Sequence, residues 1–139
     1  MQLHTCSVTQ TRQAGARLAR IAKAGDVFIL DGDLGTGKTE FVRGFTESLG
    51  GNAVVRSPSF SILNIYQTGS IDIYHFDFYR LSEASELEEL GFDEYIYGDG
   101  VCLIEWGSLF RDSLPQEART IRFLDRGEFQ RVLDADFEF

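Results

Sequence analysis

Apolar residues recur along this chain at two different spacings, and the changes of spacing mark out its elements. Between positions 11 and 24, Ala14, Leu18, Ile21 and Ala22 repeat at helical intervals while Arg12, Arg17 and Arg20 fall elsewhere. That pattern predicts a helix capped by Thr9 or Thr11 and stopped at Gly25. The unbroken run Val27-Phe28-Ile29-Leu30 predicts a buried strand over 26–31. Helical spacing returns over 38–49, where Phe41, Val42 and Phe45 lie near one face and Gly50-Gly51 closes the helix. Pro58 breaks regular pairing and holds Ser57 extended, so 54–60 is expected to be a loop.

Period-two alternation follows. Positions 61–67 and 71–80 predict two antiparallel strands joined by Thr68-Gly69-Ser70. The second strand would place Ile71, Ile73, His75, Asp77 and Tyr79 on one face, with Asp72, Tyr74, Phe76 and Phe78 on the other. Ser82 begins a helix that turns Leu87 and Leu90 inward and ends at Gly91. Val101-Cys102-Leu103-Ile104 is continuous apolar sequence, as a parallel strand covered on both faces requires, and it runs into Glu105-Trp106. Positions 119–124 and 130–137 close the chain as a hairpin around Arg126-Gly127. The succession implies one α/β domain spanning 1–139, with a mixed sheet whose centre is parallel and whose margins are antiparallel.

Composition narrows the function classes. A net charge of −9, with Lys23 and Lys38 the only lysines, argues against a direct sequence-independent grip on nucleic acid. The seven acidic residues between Glu83 and Asp99, with no Lys or Arg among them, read as a solvated face or as a docking surface for a basic partner. Cys6 and Cys102 make neither a disulfide framework nor a metal cluster, and Cys102 is expected in the core. The first 24 residues lack a continuous apolar stretch, and no apolar run is long enough to span a bilayer, so a cytoplasmic protein is expected.

The chemistry centres on Gly32-Asp33-Leu34-Gly35-Thr36-Gly37-Lys38-Thr39, which fits the G-x-x-x-x-G-K-[ST] phosphate-binding pattern between a strand and a helix. The glycines let successive N–H groups converge on one anion. Lys38 would face the β- and γ-phosphates, and the Thr39 hydroxyl would ligate Mg²⁺ at the helix N-terminus. Glu105 ends an apolar strand as a Walker-B acid does and could orient Mg²⁺ with Thr39. Asp77, on the same strand face as His75, could polarise water beside an imidazole; an ion pair with Arg80 is the structural alternative. Ser57 and Ser59 offer hydroxyls on the Pro58 loop, and Arg43 and Arg80 could stabilise charge. Trp106 reads as a packing or interface aromatic. No Asn-Lys-x-Asp segment is present, so ATP is favoured over GTP.

Taken together these stretches resemble the TsaE (YjeE-like) family of P-loop ATPases. The resemblance is carried by the phosphate loop with Phe41-Val42-Arg43-Gly44, by Ser57-Pro58-Ser59-Phe60, and by His75-Phe76-Asp77-Phe78-Tyr79-Arg80-Leu81. Glu86-Leu87-Glu88-Glu89-Leu90-Gly91 and Leu103-Ile104-Glu105-Trp106 complete it. Ser59 stands where the family commonly has Thr, and Gly107 where Pro is frequent. The resemblance implies a three-layer P-loop NTPase-like fold and ATP binding at Thr11, Asp33, Leu34, Gly35, Thr36, Gly37, Lys38, Thr39 and Glu40. It further implies catalysis by Asp77, Glu105 and Lys38, with Mg²⁺ held by Thr39 and Glu105. Such a protein would be a weak ATPase acting with TsaB and TsaD in threonylcarbamoyladenosine modification of tRNA, reaching tRNA only through that complex. A non-hydrolytic nucleotide-gated adaptor and a small-molecule kinase are the competing expectations.

Overall fold

The computed structural model describes residues 1–51, 55–58 and 61–139. Among these, seven strands form one sheet in the order β1-β7-β6-β2-β5-β4-β3. They are β1 (Gln2–Thr5), β2 (Val27–Gly32), β3 (Leu63–Tyr66), β4 (Ile73–Asp77), β5 (Val101–Glu105), β6 (Arg119–Asp125) and β7 (Arg131–Ala135). β6, β2, β5 and β4 run parallel to their neighbours in that series, while β1–β7, β7–β6 and β4–β3 pair antiparallel. The mixed sheet with a parallel centre is the one the apolar runs imply.

Alternation along the central strands sorts side chains into two cores. Phe28 and Leu30 of β2 and Val101 and Leu103 of β5 join Leu18, Phe41, Val42 and Phe45 on the face covered by α1 (Val8–Ala19) and α2 (Lys38–Ser48). Val27, Ile29, Cys102 and Ile104 point the other way, against Leu87 of α3 (Ser85–Glu89) and Phe92 and Ile96 of α4 (Phe92–Ile96). A 3₁₀ helix, Gly107–Ser113, follows β5. Helices on both sheet faces make a three-layer architecture.

The structure moves several expected boundaries. α1 starts and stops earlier than 11–24: the Ser7 hydroxyl accepts from the Gln10 N–H at 3.1 Å, and the chain leaves the helix at Arg20. Ile21, which fitted the helical period, is exposed. Beyond it the Asp26 carboxylate accepts from the Lys23 N–H at 2.8 Å, a local turn that competes with helix continuation. The helix expected from Ser82 is split. The Glu86 carboxylate accepts from the Ser82 N–H at 3.0 Å, but the helix begins at Ser85, and Gly91, at φ 69°, turns the chain directly into α4. Leu87 is buried as expected; Leu90 is exposed. β1 was not anticipated at all.

α1 and α2 touch through their backbones. A Cβ placed on Gly15 would lie 2.0 Å from the Phe41 carbonyl oxygen, and one on Gly44 would lie 2.0 Å from that of Arg12. Neither glycine has an unusual φ to explain it; close approach does. Gly44→Ala should therefore lower the unfolding free energy by about 1–3 kcal/mol, read from urea denaturation, as overpacking at an unyielding backbone does. The thiols give a second check on the packing. Cys102 donates to the Tyr95 carbonyl, and burial pushes its pKa up to about 12. Iodoacetamide near pH 8 should label exposed Cys6 alone, with Cys102 reacting only after unfolding.

Candidate functional site

Three neighbouring parallel strands deliver their carboxyl ends to one place. Leu30 of β2 lies beside Glu105 of β5, and Glu105 beside Asp77 of β4. Odd-numbered positions of β4 and β5 face α1 and α2, so His75, Asp77 and Glu105 share the side from which α2 approaches. All three are buried. Such a crevice at the carboxyl edge of a parallel sheet is where α/β proteins bind ligands.

The glycine-rich loop closes over this edge. Gly35 and Gly37 take φ 81° and 99°, conformations that strain an L side chain. Gly32 is held by proximity: a Cβ there would lie 2.7 Å from the Phe123 carbonyl oxygen. The Thr36 hydroxyl donates to the Asp33 carbonyl at 2.7 Å, tightening the loop. Lys38 opens α2, and its ammonium donates to the Gly32 carbonyl, stands 3.9 Å from Glu105 Oε1 and lies 4.5 Å from the Trp106 ring centre. Burial lowers the Lys38 pKa below 10.5, while Glu105, Asp77, Asp31 and Asp33 pull it back toward the charged form.

Glu105 has a second partner. Its Oε2 lies 2.6 Å from His75 Nε2, and His75 Nδ1 lies 2.9 Å from the Tyr66 hydroxyl. The carboxylate hydrogen-bonded to the imidazole is thus Glu105, across the strand pair, where strand alternation pointed to Asp77. Asp77 Oδ1 instead accepts from the Tyr79 N–H at 2.9 Å. Trp106, with φ 58°, turns the chain out of β5 and brings its indole over Lys38 and against Tyr79, so its packing role falls at the site itself. Gly107 behind it is small by necessity, since a Cβ would meet Ile29 Cγ2 at 2.9 Å.

Thr11 also belongs here. Its hydroxyl bonds Thr5 Oγ1 and the Ser7 carbonyl, and its methyl would lie 3.3 Å from a Cβ on Gly37. A pocket of about 170 Å³ opens beside it, bounded by Thr11, Gly35, Gly37, Glu40, Phe129 and Arg131. Phe129 and Arg131 were not foreseen, because the hairpin they occupy reaches the loop only through the fold. Phe129 is 78% exposed with φ 56°, and Arg131 donates to the Gly35 carbonyl at 3.4 Å. Asp33 and Leu34 are exposed at the loop crest, while Thr39 is half-buried in the first turn of α2.

Glu40 joins both helices, accepting from Arg12 at 2.7 Å and from Arg43. Burial would raise its pKa, but those two guanidiniums hold it below the ordinary carboxylate value. Arg43 also donates to the Val55 carbonyl at 2.9 Å, so it serves as a strut between α2 and the loop that follows. Arg80 is exposed just past β4. Ser57 is exposed on its loop, and Ser59 lies outside the described residues. No group of three His, Cys, Asp or Glu that could hold a metal ion by itself occurs among the described residues. Nor is any described helix long and apolar enough to cross a membrane.

Comparison with known proteins places the whole chain in a family. Residues 5–133 match the family model described as threonylcarbamoyl adenosine biosynthesis protein TsaE. A Bacillus subtilis protein named tRNA threonylcarbamoyladenosine biosynthesis protein TsaE is 43% identical over 133 residues, covering 96% of this chain and 83% of that one. A Treponema pallidum protein of the same name is 38% identical over 115 residues, 83% of this chain and 84% of its own. The crystal structure of Bacillus subtilis YdiB superposes with a TM-score of 0.83 at 39% identity, over 96% of this chain and 82% of that one.

The lowered Lys38 pKa has a consequence for stability. Between its folded value and 10.5 the unfolded chain holds a proton that the folded chain has lost, so this group makes stability rise with pH. Urea unfolding of wild type and Lys38→Met at pH 7 and pH 10 should therefore show wild type gaining relative to the variant at the higher pH.

Proposed function

The chain belongs to the TsaE family, and from that premise we propose that it is a P-loop ATPase serving the biosynthesis of threonylcarbamoyladenosine in tRNA. The observation that supports this reading most is the buried Lys38 ammonium between the loop carbonyl of Gly32 and the Glu105 carboxylate, at the carboxyl ends of parallel strands.

In this reading the N–H groups of the loop and the start of α2 receive the β-phosphate, and Lys38 turns from Gly32 toward the β- and γ-phosphates. The pocket beside Thr11, with Phe129 and Arg131 at its rim, accommodates the remainder of the nucleotide. The donor set suits Mg²⁺: Thr39 supplies a hydroxyl at the helix start, and Glu105 keeps Oε1 toward the loop while Oε2 is held by His75. A Mg²⁺ ion bound there with substrate phosphates would supply charge neutralisation at the γ-phosphate. Asp77, one strand over from Glu105, would orient the attacking water.

The partners in this proposal are TsaB and TsaD, with hydrolysis permitting repeated cycles. A chain of net charge −9 would meet tRNA through them rather than by its own surface. Steady-state ATP hydrolysis with Mg²⁺, for the protein alone and with purified TsaB and TsaD, tests the reading. Weak turnover that rises with the pair is expected; tight ATP binding without turnover under either condition would favour a non-hydrolytic adaptor. Lys38→Ala should abolish or greatly weaken ATP binding. Glu105→Ala and Asp77→Ala should keep binding and lower kcat by about a hundredfold, the usual loss of one electrostatic or proton-handling group. Unchanged turnover in all three variants would refute the site assignment.

A further inference from the structure

Behind Glu105 runs a buried chain of side chains of which the proposed chemistry uses only the His75 bond to Glu105. Tyr66, at the end of β3, is 3% exposed; His75, on β4, is completely buried; Glu105 is 4% exposed. Their contacts are continuous: Glu105 Oε2 to His75 Nε2 at 2.6 Å, His75 Nδ1 to the Tyr66 hydroxyl at 2.9 Å, and that hydroxyl to the Arg56 carbonyl at 3.0 Å. The Arg56 N–H also reaches the same hydroxyl at 3.3 Å. One end of the chain is a carboxylate facing the phosphate loop, and the other is the backbone just before Ser57-Pro58.

We propose that Tyr66 and His75 are positioning residues that lock the Glu105 carboxylate to the backbone of the segment at Arg56, so that the seating of that segment sets the orientation of Glu105. The inference rests on the ATPase reading for its kinetic consequence but not for its geometry. A carboxylate only accepts hydrogen bonds, so Nε2 must carry the proton directed at Oε2. In the neutral ring Nδ1 is then an acceptor and can receive a hydrogen bond from the Tyr66 hydroxyl. The phenol has a single proton and two acceptors within 3.0 Å, His75 Nδ1 and the Arg56 carbonyl. Donation to one leaves the other without it. Movement of the Arg56 backbone therefore changes which way the phenol proton points, and with it how firmly the imidazole is held against Glu105. Burial makes the Glu105–His75 and His75–Tyr66 bonds costly to leave unmade, and the half-buried contact at Arg56 ties that pair to the backbone.

The test uses the whole protein, and its two histidines make it readable, because His4→Gln assigns the other spectrum. In ¹⁵N NMR of the imidazoles, His75 should show Nε2 protonated and Nδ1 accepting a hydrogen bond. Tyr66→Phe should shift the Nδ1 resonance. It should also lower kcat about ten- to a hundredfold, as loss of an orienting partner behind a ligand does, with KM for ATP changed by no more than about twofold. His75→Gln, which retains an N–H donor toward Glu105, should keep more turnover than His75→Ala. An unprotonated Nε2, or a Tyr66→Phe variant with unmoved His75 nitrogens and unchanged kcat, would overturn the relay. If the wild type hydrolyses no ATP under any condition, the ATPase reading fails while the imidazole spectra still decide the relay.

Discussion

The buried ammonium of Lys38 is the constraint around which this domain is arranged. A cation taken from water into a protein interior is penalised heavily unless it is paired. Here the compensation is assembled from separate parts of the chain: the Gly32 carbonyl from the loop, Glu105 from β5, Asp77 from β4, and Asp31 and Asp33 from the end of β2 and the loop crest. Bringing them together requires β2, β5 and β4 to lie parallel and adjacent with their ends level, as the register pairing Leu30 with Glu105 and Glu105 with Asp77 provides. Four carboxylates against one ammonium leave an excess of negative charge. In the proposed ATPase reading, a polyphosphate entering such a place would meet repulsion as well as the loop's N–H groups, and a divalent cation would reverse that balance.

The helices are fixed by a different physical device that serves the same end. Gly15 and Gly44 let α1 and α2 approach until backbone meets backbone, and the Arg12–Glu40–Arg43 bridge secures the pair at its solvent side. That contact brings Thr11 beside Gly37 and so makes one wall of the pocket next to the phosphate loop. A helix packed at ordinary side-chain distance would stand off from the loop and leave this wall open.

How much of this was legible in the chain depends on the range of the interaction concerned. The phosphate loop, the apolar strands at Val27 and Val101, and the helix bearing Phe41, Val42 and Phe45 are written in contiguous residues, and their types follow from local pattern. The boundary of α1 was misplaced because Ile21 and Ala22 continue the helical period after Asp26 has already turned the backbone. β1 escaped notice because four residues carry too little alternation, and its partner, β7, lies at the far end of the chain. The placement of Glu105 at the phosphate loop was accessible from its position at the end of an apolar strand. Its bond to His75 was not, since alternation assigns a residue to a face but leaves cross-strand register open. The contributions of Phe129 and Arg131 depend on the last hairpin returning beside β2 through β6, which the order of residues does not disclose.

The segment at 55–56 links these two constructions. From the helical side, Arg43, itself held by Glu40, donates to the Val55 carbonyl at 2.9 Å. From the sheet side, the Tyr66 hydroxyl binds both the carbonyl and the N–H of Arg56. Two successive residues are thus tied to the two layers that form the site, one through α2 and one through β3. Displacing either residue disturbs a half-buried bond whose other end lies within one or two side chains of the phosphate loop. The reverse holds as well: whatever moves Glu105 or α2 alters the footing of the Ser57-Pro58 stretch. Coupling of this kind is reciprocal by thermodynamic necessity: if a ligand at Lys38 shifts the 55–58 segment, a contact made by that segment shifts the affinity for the ligand by the same factor.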